Sequence, residues 1–382
     1  MNAHETPLKA EHAALGAHFT DFAGWQMPLR YGSELAEHRA VRESAGLFDL
    51  SHMGEIAVSG PQAGAVLDAT VVGQPSTMKP GRARYSLLCN DDGGILDDFV
   101  IYRRGSDDFL VVANAANTAV VCDALVRCAK GSEGSEGSET TIADRTAEIA
   151  LVAIQGPDAN EIVRSLVGPD VDFAGLKYFW ATDATVAGVD VLLSRTGYTG
   201  EDGFELYLPN AQAVALWRAL LEATRARGGL PVGLAARDSL RLEAGLALYG
   251  HELTEDTNPY EAGLGRIVRL GDQDAGNDFP GRDALVRVSQ DEARRVLVGL
   301  AGSGRRSARA GYAVFPADAD AESNDAAVGE VTSGAPSPTL GHPIALAYVD
   351  AELAEPGTPL TVDIRGKREA FTVTQPPFYR RG

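Results

Sequence analysis

The spacing of short apolar segments changes near residue 290, and this change limits the folds open to the chain. Beyond it, every apolar run is only a few residues long and is followed by glycine, proline or polar residues. This pattern is typical of β-strands joined by turns, and it predicts a small β-barrel or sandwich as a separate carboxy-terminal domain, residues 290–382. The predicted strands are Val296–Leu300, Gly329–Thr332, Ile344–Val349, Leu360–Ile364 and Ala370–Thr374.

Residues 1–285 mix strand and helix patterns and predict an α+β fold. Val214, Trp217 and Leu220 recur at helical spacing, which predicts a helix that stops at Gly228-Gly229. Two segments, Gly131–Glu139 (GSEGSEGSE) and Pro316–Ala327, are predicted to be surface insertions. The other predicted elements are a hairpin of Ile95–Tyr102 with Phe109–Ala113, a helix over Ala115–Lys130, a buried strand over Glu148–Ile154, a hairpin over Thr185–Ser194 that turns at Gly188, and a strand over Gly203–Leu208.

The net charge of the chain limits the classes of molecule that it is expected to bind. The 382 residues carry 53 acidic and 34 basic side chains, a net charge of −19. Such a surface repels phosphate groups, so neither nucleic acid nor an anionic membrane is an expected partner. Only five of the basic residues are lysines, and the acids are spread along the whole chain, which favours a protein from a halophile over one with an acidic binding tail.

Other features indicate a cytoplasmic protein. No apolar run approaches the ~20 residues that cross a bilayer, and the first residues lack the apolar segment of a secretion signal. The three cysteines include no Cys-x-x-Cys pair, so neither a disulfide framework nor a zinc site is indicated. We therefore expect no metal and no membrane span.

The acid pair Asp97-Asp98 is the first candidate for chemistry, since the sequence lacks a phosphate-binding loop, a dinucleotide fingerprint, a zinc-protease motif and a serine-hydrolase elbow. Neighbouring residues of a strand face opposite sides, so one of the two carboxylates should point inward. A buried carboxylate needs partners or a raised pKa, and such groups concentrate at functional sites. The alternative, an aspartate that caps a turn where the strand begins, is equally compatible with the pattern.

A second candidate is the glycine-rich segment Ser194–Leu206 (SRTGYTGEDGFEL). Glu205 interrupts an apolar run there, so its carboxylate and the hydroxyl of Tyr198 could line one concave site. The alternative is a solvated hairpin.

A third candidate is Gly233–Glu243 (GLAARDSLRLE). Its charged residues fit an exposed, ion-paired helix that contributes little to stability, although Arg237 follows two alanines and could reach into a cavity. His52 is interpreted as a structural histidine rather than a base.

Taken together, these segments resemble the glycine cleavage T-protein family of tetrahydrofolate-dependent aminomethyltransferases. The similar stretches follow the family's order over nearly the whole chain. They are Asp21–Pro28 (DFAGWQMP), Gly46–Gly54 (GLFDLSHMG), Gly93–Tyr102, Asn114–Asn117, Gln155–Pro157, Ser194–Leu206, Gly233–Glu243, Asn258–Glu261, Thr332–Gly334 and Pro377–Tyr379.

The resemblance implies an α+β, cloverleaf arrangement around a folate channel, with a ferredoxin-like lobe near residues 55–145 and a carboxy-terminal β-barrel. It implies tetrahydrofolate as co-substrate, no metal, and the lipoylated H-protein as partner, functionally linked to P-protein and L-protein. Asp98 matches the family's catalytic aspartate. The implied folate-site residues are Tyr85, Tyr198, Glu205, Arg237 and Tyr379, with Met53, Asn114, Asn117 and Tyr249 as further contributors.

Two other functions stay open at this stage. One is a stand-alone, folate-dependent demethylase of the same superfamily, which would not use H-protein. The other is a folate-binding regulator without turnover, which the presence of Asp98 disfavours.

Overall fold

The structure is a computed structural model that describes residues 3–131, 140–169, 171–270, 278–291, 293–318 and 326–381. Within those ranges the helices are α1 (Lys9–Ala14), α2 (Glu34–Glu43), α3 (Ala63–Asp68), α4 (Thr118–Gly131), α5 (Ala159–Leu166), α6 (Ala213–Ala226), α7 (Leu234–Glu243) and α8 (Arg282–Gln290).

The strands fall into groups along the chain. Those before residue 150 are β1 (His4–Glu5), β2 (His18–Phe22), β3 (Trp25–Arg30), β4 (Gly46–Asp49), β5 (Gly54–Ser59), β6 (Ala83–Cys89), β7 (Ile95–Arg103), β8 (Asp108–Ala113), β9 (Thr141–Asp144) and β10 (Ile149–Gln155). Those that follow are β11 (Ala181–Val186), β12 (Val189–Ser194), β13 (Gly203–Pro209), β14 (Leu230–Pro231), β15 (Arg295–Gly302), β16 (Ala313–Pro316), β17 (Gly329–Pro336), β18 (Pro343–Asp350), β19 (Pro359–Asp363) and β20 (Arg368–Thr374).

These strands form three open sheets and a closed barrel. The orders are β1-β3-β2, β11-β12-β13-β10-β4-β14 and β6-β7-β8-β5-β9, and the barrel runs β15-β18-β17-β16-β19-β20. The expected α+β body and carboxy-terminal barrel are thus confirmed.

The element predictions hold closely, with one strand missed. Both predicted hairpins form, as β7 with β8 and β11 with β12, and the predicted helices correspond to α4 and α6. The sixth barrel strand, β16, was not predicted because it has only four residues and ends at Pro316, where the predicted insertion starts. Most of both predicted insertions, residues 132–139 and 319–325, lies outside the described residues.

One apolar core lies between the two large sheets and under α7. It joins Phe48 of β4, Leu110 and Val112 of β8, Leu151 of β10 and Leu240 of α7. Burial of such side chains contributes roughly 1.5–3 kcal/mol each, so the core fixes the two sheets and α7 relative to one another. The polar side chains described below stand at the edge of this core.

The start of α7 depends on a glycine. A Cβ on Gly233 would lie 2.4 Å from the main-chain oxygen of Leu29 in β3. The absence of a side chain therefore lets α7 begin directly against the backbone of β3, which places Arg237 one turn further along.

Candidate active site

The Asp97-Asp98 pair divides between the two faces of β7, as the strand pattern predicts. The side chain of Asp97 is fully buried, whereas that of Asp98 is partly exposed. Asp98 accepts hydrogen bonds from Tyr85 Oη at 2.9 Å and from Asn114 Nδ2 at 3.0 Å. These contacts hold its carboxyl group in one orientation, on the side of the strand that also carries Tyr102.

Asp97 is held by the turn that precedes α4. Its carboxyl oxygens accept from the main-chain N of Asn114 at 3.2 Å, from Asn114 Nδ2 at 2.9 Å and from Asn117 Nδ2 at 2.7 Å. All of these donors are neutral. Burial therefore prevails and raises the pKa of Asp97 to about 7, with a contribution from the charge of Asp98. Burial also raises the pKa of Asp98 to about 6, against the lowering effect of its bonds to Tyr85 and Asn114.

Glu205 presents one free oxygen. Its Oε2 accepts from Thr196 Oγ1 at 2.5 Å, from Tyr102 Oη at 3.2 Å and from Tyr207 Oη at 3.4 Å. Among the described residues, none donates to Oε1, and that atom is not buried. One arm of the carboxylate is thus fixed by the protein while the other can accept a ligand hydrogen.

The glycines of the Ser194–Leu206 segment make room for Gln155. A Cβ on Gly197 would lie 1.9 Å from Gln155 Oε1, and one on Gly203 would lie 2.4 Å from Gln155 Nε2. In return, Gln155 donates to the main-chain oxygen of Thr196 at 3.0 Å. This packing explains why the two glycine-containing motifs occur together and how Thr196 comes to face Glu205.

Arg237 lies over the ring of Tyr198, with its Cζ 4.6 Å from the ring centroid. Within the described part of the chain, its guanidinium makes no ion pair or hydrogen bond, and burial lowers its pKa. The hydroxyl of Tyr198 donates to the main-chain oxygen of Ala247. Burial raises the pKa of Tyr198, with a contribution from the charge of Asp98, and the charge of Glu205 opposes the lowering of the Arg237 pKa by burial.

His52 is buried, with 2% of its surface exposed, but it is not a satisfied structural residue. Its Nδ1 has no hydrogen-bond partner among the residues that the structure describes. Burial and the charge of Arg237 lower its pKa to about 4, so it is neutral near pH 7, and its ring meets the edge of Phe22.

The carboxy-terminal tail packs against the end of α7. The main-chain N of Tyr379 donates to the main-chain oxygen of Glu243 at 2.9 Å, and Arg42 lies 4.1 Å from the centroid of the Tyr379 ring. Arg381 donates to Glu201, which also accepts from Arg42 at 2.8 Å. The tail is therefore tied to the helices that carry the site.

The helix α7 is ion-paired as expected, through Arg241 with Asp238 and Glu252, but the expectation that its charged side chains are exposed is wrong. Arg241 and Glu243 are 1% and 0% exposed. Glu243 accepts six hydrogen bonds from four residues: His38, Arg42, Ser337 and Thr339. Burial would raise the pKa of Glu243, but the bonds and charge of its partners, His38 first, lower it to about 2. This side of α7 is thus a buried connection between the body and the barrel.

Met53 and Tyr249 lie close to the site without a bond to its acids. Met53 packs on the core between the sheets. Tyr249 packs against the same apolar cluster as Tyr85, and its pKa is raised by burial and then by the charge of Asp97.

Three residues were missed from the sequence: Tyr102, Thr196 and Tyr207, which hold Glu205. Tyr102 could have been found, because residues Asp98, Val100 and Tyr102 alternate along one face of a strand. Among the described residues, no cluster of histidine, cysteine or acidic side chains could hold a metal ion. No helix in those ranges is long and apolar enough to cross a membrane.

Comparison with known proteins agrees with this architecture. Residues 8–272 match the family model of the GCVT N-terminal domain, and residues 295–380 match that of the glycine cleavage T-protein C-terminal barrel domain. The chain is 52% identical over 380 residues to the aminomethyltransferase of Streptomyces coelicolor, covering 98% of this chain and 97% of the relative. It is 50% identical over 377 residues to that of Saccharopolyspora erythraea, covering 99% and 98%.

A solved structure extends the agreement to three dimensions. The glycine cleavage system aminomethyltransferase T from Bartonella henselae superimposes with a TM-score of 0.85 at 37% identity, covering 98% of each chain. Because sequence and fold agree along nearly the whole length, the chain belongs to the glycine cleavage T-protein family of aminomethyltransferases.

Proposed function

We propose that this chain transfers the aminomethyl carbon from the lipoyl arm of H-protein to tetrahydrofolate. Ammonia is released, and the products are 5,10-methylenetetrahydrofolate and dihydrolipoyl H-protein. Family membership supports the reaction class. The observation that carries the proposal is the position of Asp98, a carboxyl group held by two neutral donors in a site that also contains Glu205 and Arg237.

The side chains of this site fit a folate. The pterin edge presents an amino group and a ring N–H, and the free Oε1 of Glu205 is an acceptor for such donors. Arg237, without an ion pair in the described chain, can donate to a pterin oxygen or to the glutamate carboxylate of folate. Tyr85, Tyr198, Tyr379, Met53, Asn114, Asn117 and Tyr249 are proposed to complete the site. When bound, tetrahydrofolate would supply the two nitrogens that accept the carbon, N5 of the pterin ring and N10 of the adjoining linker.

Asp98 is proposed to act by electrostatics and orientation. A carboxylate in a site of low dielectric constant stabilises nearby positive charge far more than it would in water. Tyr85 and Asn114 keep the group from turning, so no reorganisation is needed when charge develops as sulfur leaves. With a pKa of about 6, Asp98 can also hold a proton on its carboxyl oxygen close to the pH at which it works.

We further propose that the chain divides into two domains, residues 1–285 and 290–382. We also propose that it acts in the cytoplasm together with P-protein and L-protein, and that it comes from a halophile.

The halophilic origin has its own test, because salt screens the repulsion among the acidic side chains: the Debye length falls from ~10 Å at 0.1 M to ~3 Å at 1 M. The midpoint of thermal unfolding should rise between about 0.1 M and 3 M KCl. A flat or falling midpoint would contradict the halophilic origin.

The reaction is tested by mixing the purified chain with aminomethyl-loaded H-protein and tetrahydrofolate. We expect equal amounts of ammonia and methylenetetrahydrofolate. H-protein without its lipoyl group is the control and should give neither product. Carbon transfer from small methylated amines in the absence of H-protein, with none from loaded H-protein, would contradict the proposal and identify a demethylase.

A further inference from the structure

We infer that Asp97 is a positioning residue for Asp98, acting through the side-chain amide of Asn114. The inference rests on the proposed function, because it takes Asp98 as the group that acts on the substrate. Its structural basis is a chain of contacts from the buried face of β7 to the face that meets the site.

The first contact, between Asn114 and Asp98, lies where the pairing of β7 with β8 ends. The pairing of β7 with β8 runs from Arg103 opposite Phe109 to Val100 opposite Val112 and stops before Asp98. Beyond that point the side chain of Asn114 supplies the hydrogen bonds to this part of β7. Its Nδ2 donates to the main-chain oxygen of Asp98 at 2.9 Å and to Asp98 Oδ1 at 3.0 Å. One amide therefore fixes both the backbone and the carboxyl group of Asp98.

The second link determines which way that amide points. The same Nδ2 also donates to Asp97 Oδ1 at 2.9 Å, so its two hydrogens serve three oxygens and one of them is shared. The main-chain N of Asn114 donates to Asp97 Oδ2 at 3.2 Å. In its ionised form Asp97 only accepts hydrogen bonds, so it would repel the amide oxygen of Asn114 if the amide turned over. Asp97 thereby keeps the donating end of Asn114 between the two acids.

The contacts of Asp97 are compatible with two roles, positioning Asp98 and holding the turn before α4. It is fully buried, and apart from the contacts to Asn114 it accepts from Asn117 Nδ2 at 2.7 Å. A purely structural role would be to hold the turn ahead of α4, which starts at Thr118. The two roles differ in what they do to turnover, because only the first reaches Asp98.

A double-mutant cycle separates the two roles. Asp97→Asn and Asn114→Ala should each lower kcat by roughly 10-fold or more, since a misplacement of about 1 Å can cost up to ~10²-fold. For Asp97→Asn, KM for tetrahydrofolate should stay within about twofold. If Asp97 acts through Asn114, the double variant should be no slower than Asn114→Ala. Effects that multiply in the double variant, or a lower unfolding midpoint with kcat unchanged, would overturn the inference.

Ser86→Ala is the matched control. Ser86 is buried in the neighbouring strand β6 and donates to the main-chain oxygen of Val72 at 2.5 Å, away from Asn114. It should lower stability and leave kcat unchanged. Asp97→Ser, which is smaller and uncharged, repeats the test if Asp97→Asn does not fold.

A crystal structure of Asp97→Asn gives a result that does not depend on turnover. We expect the Asn114 amide to move out of hydrogen-bond distance of Asp98 Oδ1. Retention of that contact would overturn the inference even if kcat fell. A wild-type protein without transferase activity would instead refute the proposed function, and the crystal structure would still decide the role of Asp97.

Discussion

Glu243 and Asp97 are fully buried acids and Asp98 is a partly exposed one, but the hydrogen-bond donors to Glu243 differ in charge from those to the two aspartates. Glu243 accepts from a guanidinium and an imidazole in addition to two hydroxyls and a main-chain N, and its pKa falls to about 2. The aspartates accept from amides, a main-chain N and a tyrosine hydroxyl, and their pKa values rise to about 7 and about 6.

The difference shows how one functional group serves two purposes. Cationic partners keep a buried carboxylate ionised and turn it into a structural connection, here between α2, α7 and the barrel segment that carries Ser337 and Thr339. Neutral donors orient a carboxyl group without fixing its charge, so it stays available for proton transfer or for a substrate cation. The charge of the donors thus distinguishes the structural site from the proposed reactive one.

The largest expected effect is on stability, at Glu243. Glu243→Gln should lower the free energy of unfolding by about 3 kcal/mol, because the buried guanidinium of Arg42 loses one of its two carboxylate partners and keeps only Glu201. Urea unfolding measures this. The same substitution at Glu261, whose ion pair with Arg295 is partly exposed, should cost less than about 1 kcal/mol. A small loss at Glu243 would show that the connection is not structural.

The pH dependence has a defined sign. The pKa of Glu243 in the folded protein lies below the ordinary value of 4.5, so its contribution to stability is present above that pH and is lost as the pH falls towards 2. Glu243→Gln should remove this part of the acid sensitivity.

The second prediction concerns turnover at the aspartate pair. Asp98→Asn should lower kcat by ~10²-fold or more with folate affinity largely unchanged, the scale of a lost electrostatic or acid–base group. Steady-state kinetics with loaded H-protein measures it, and Asp283→Asn on the exposed face of α8 is the control. If Asp98→Asn instead lowers the free energy of unfolding and leaves kcat unchanged, Asp98 is a structural acid like Glu243, and the proposed difference between the two sites is wrong.

The third prediction concerns binding at Glu205. Glu205→Gln should weaken tetrahydrofolate binding by about 1–3 kcal/mol, because the new NH₂ group meets donors either in the protein or on the pterin. Isothermal calorimetry gives the dissociation constant. Glu222→Gln, on an exposed position of α6, should leave the affinity unchanged. Equal affinities for the two variants would remove Glu205 from the folate site.

The smallest effect is expected at Glu55, a buried acid with no partner for either oxygen among the described residues. Burial and the charge of Asp144 raise its pKa well above 4.5, so its cost to stability appears as the pH rises above that value. Glu55→Met should raise the free energy of unfolding by about 1–2 kcal/mol at pH 8 and by less at pH 5. An equal gain in the free energy of unfolding at pH 5 and pH 8 would show that the Glu55 carboxyl does not become destabilising as it ionises.

The fold was predictable because its signals are local. Alternating apolar residues and glycine turns mark the hairpins, and the helical spacing of Val214, Trp217 and Leu220 marks α6. The role of Glu243 could not be predicted in the same way. Its partners Arg42 and Thr339 lie 201 and 96 residues away, so nothing in the helix sequence distinguishes it from an exposed charge.

In the candidate site, too, features marked by the local sequence could be predicted and those that depend on distant residues could not. The Asp97-Asp98 pair and Glu205 could be singled out because they interrupt apolar strands, whereas the choice of Asp98 within the pair came from the resemblance to the T-protein family. The orphan Nδ1 of His52 was not, since the environment of a buried histidine depends on Phe22 and Arg237, which come from distant segments.

The most direct test of the account is to observe the protonation of the aspartate pair itself. Infrared difference spectroscopy from about pH 5 to pH 8 should show a protonated carboxyl band that disappears through about pH 6–7. The band should be absent from an Asp97→Asn, Asp98→Asn double variant and unchanged in Glu243→Gln. Because burial also raises the pKa of Glu55, every variant is measured in a Glu55→Met background. In that background, a band that persists in the double variant, or the absence of any titrating carboxyl in this range, would contradict the claim that neutral donors leave this pair free to change its charge.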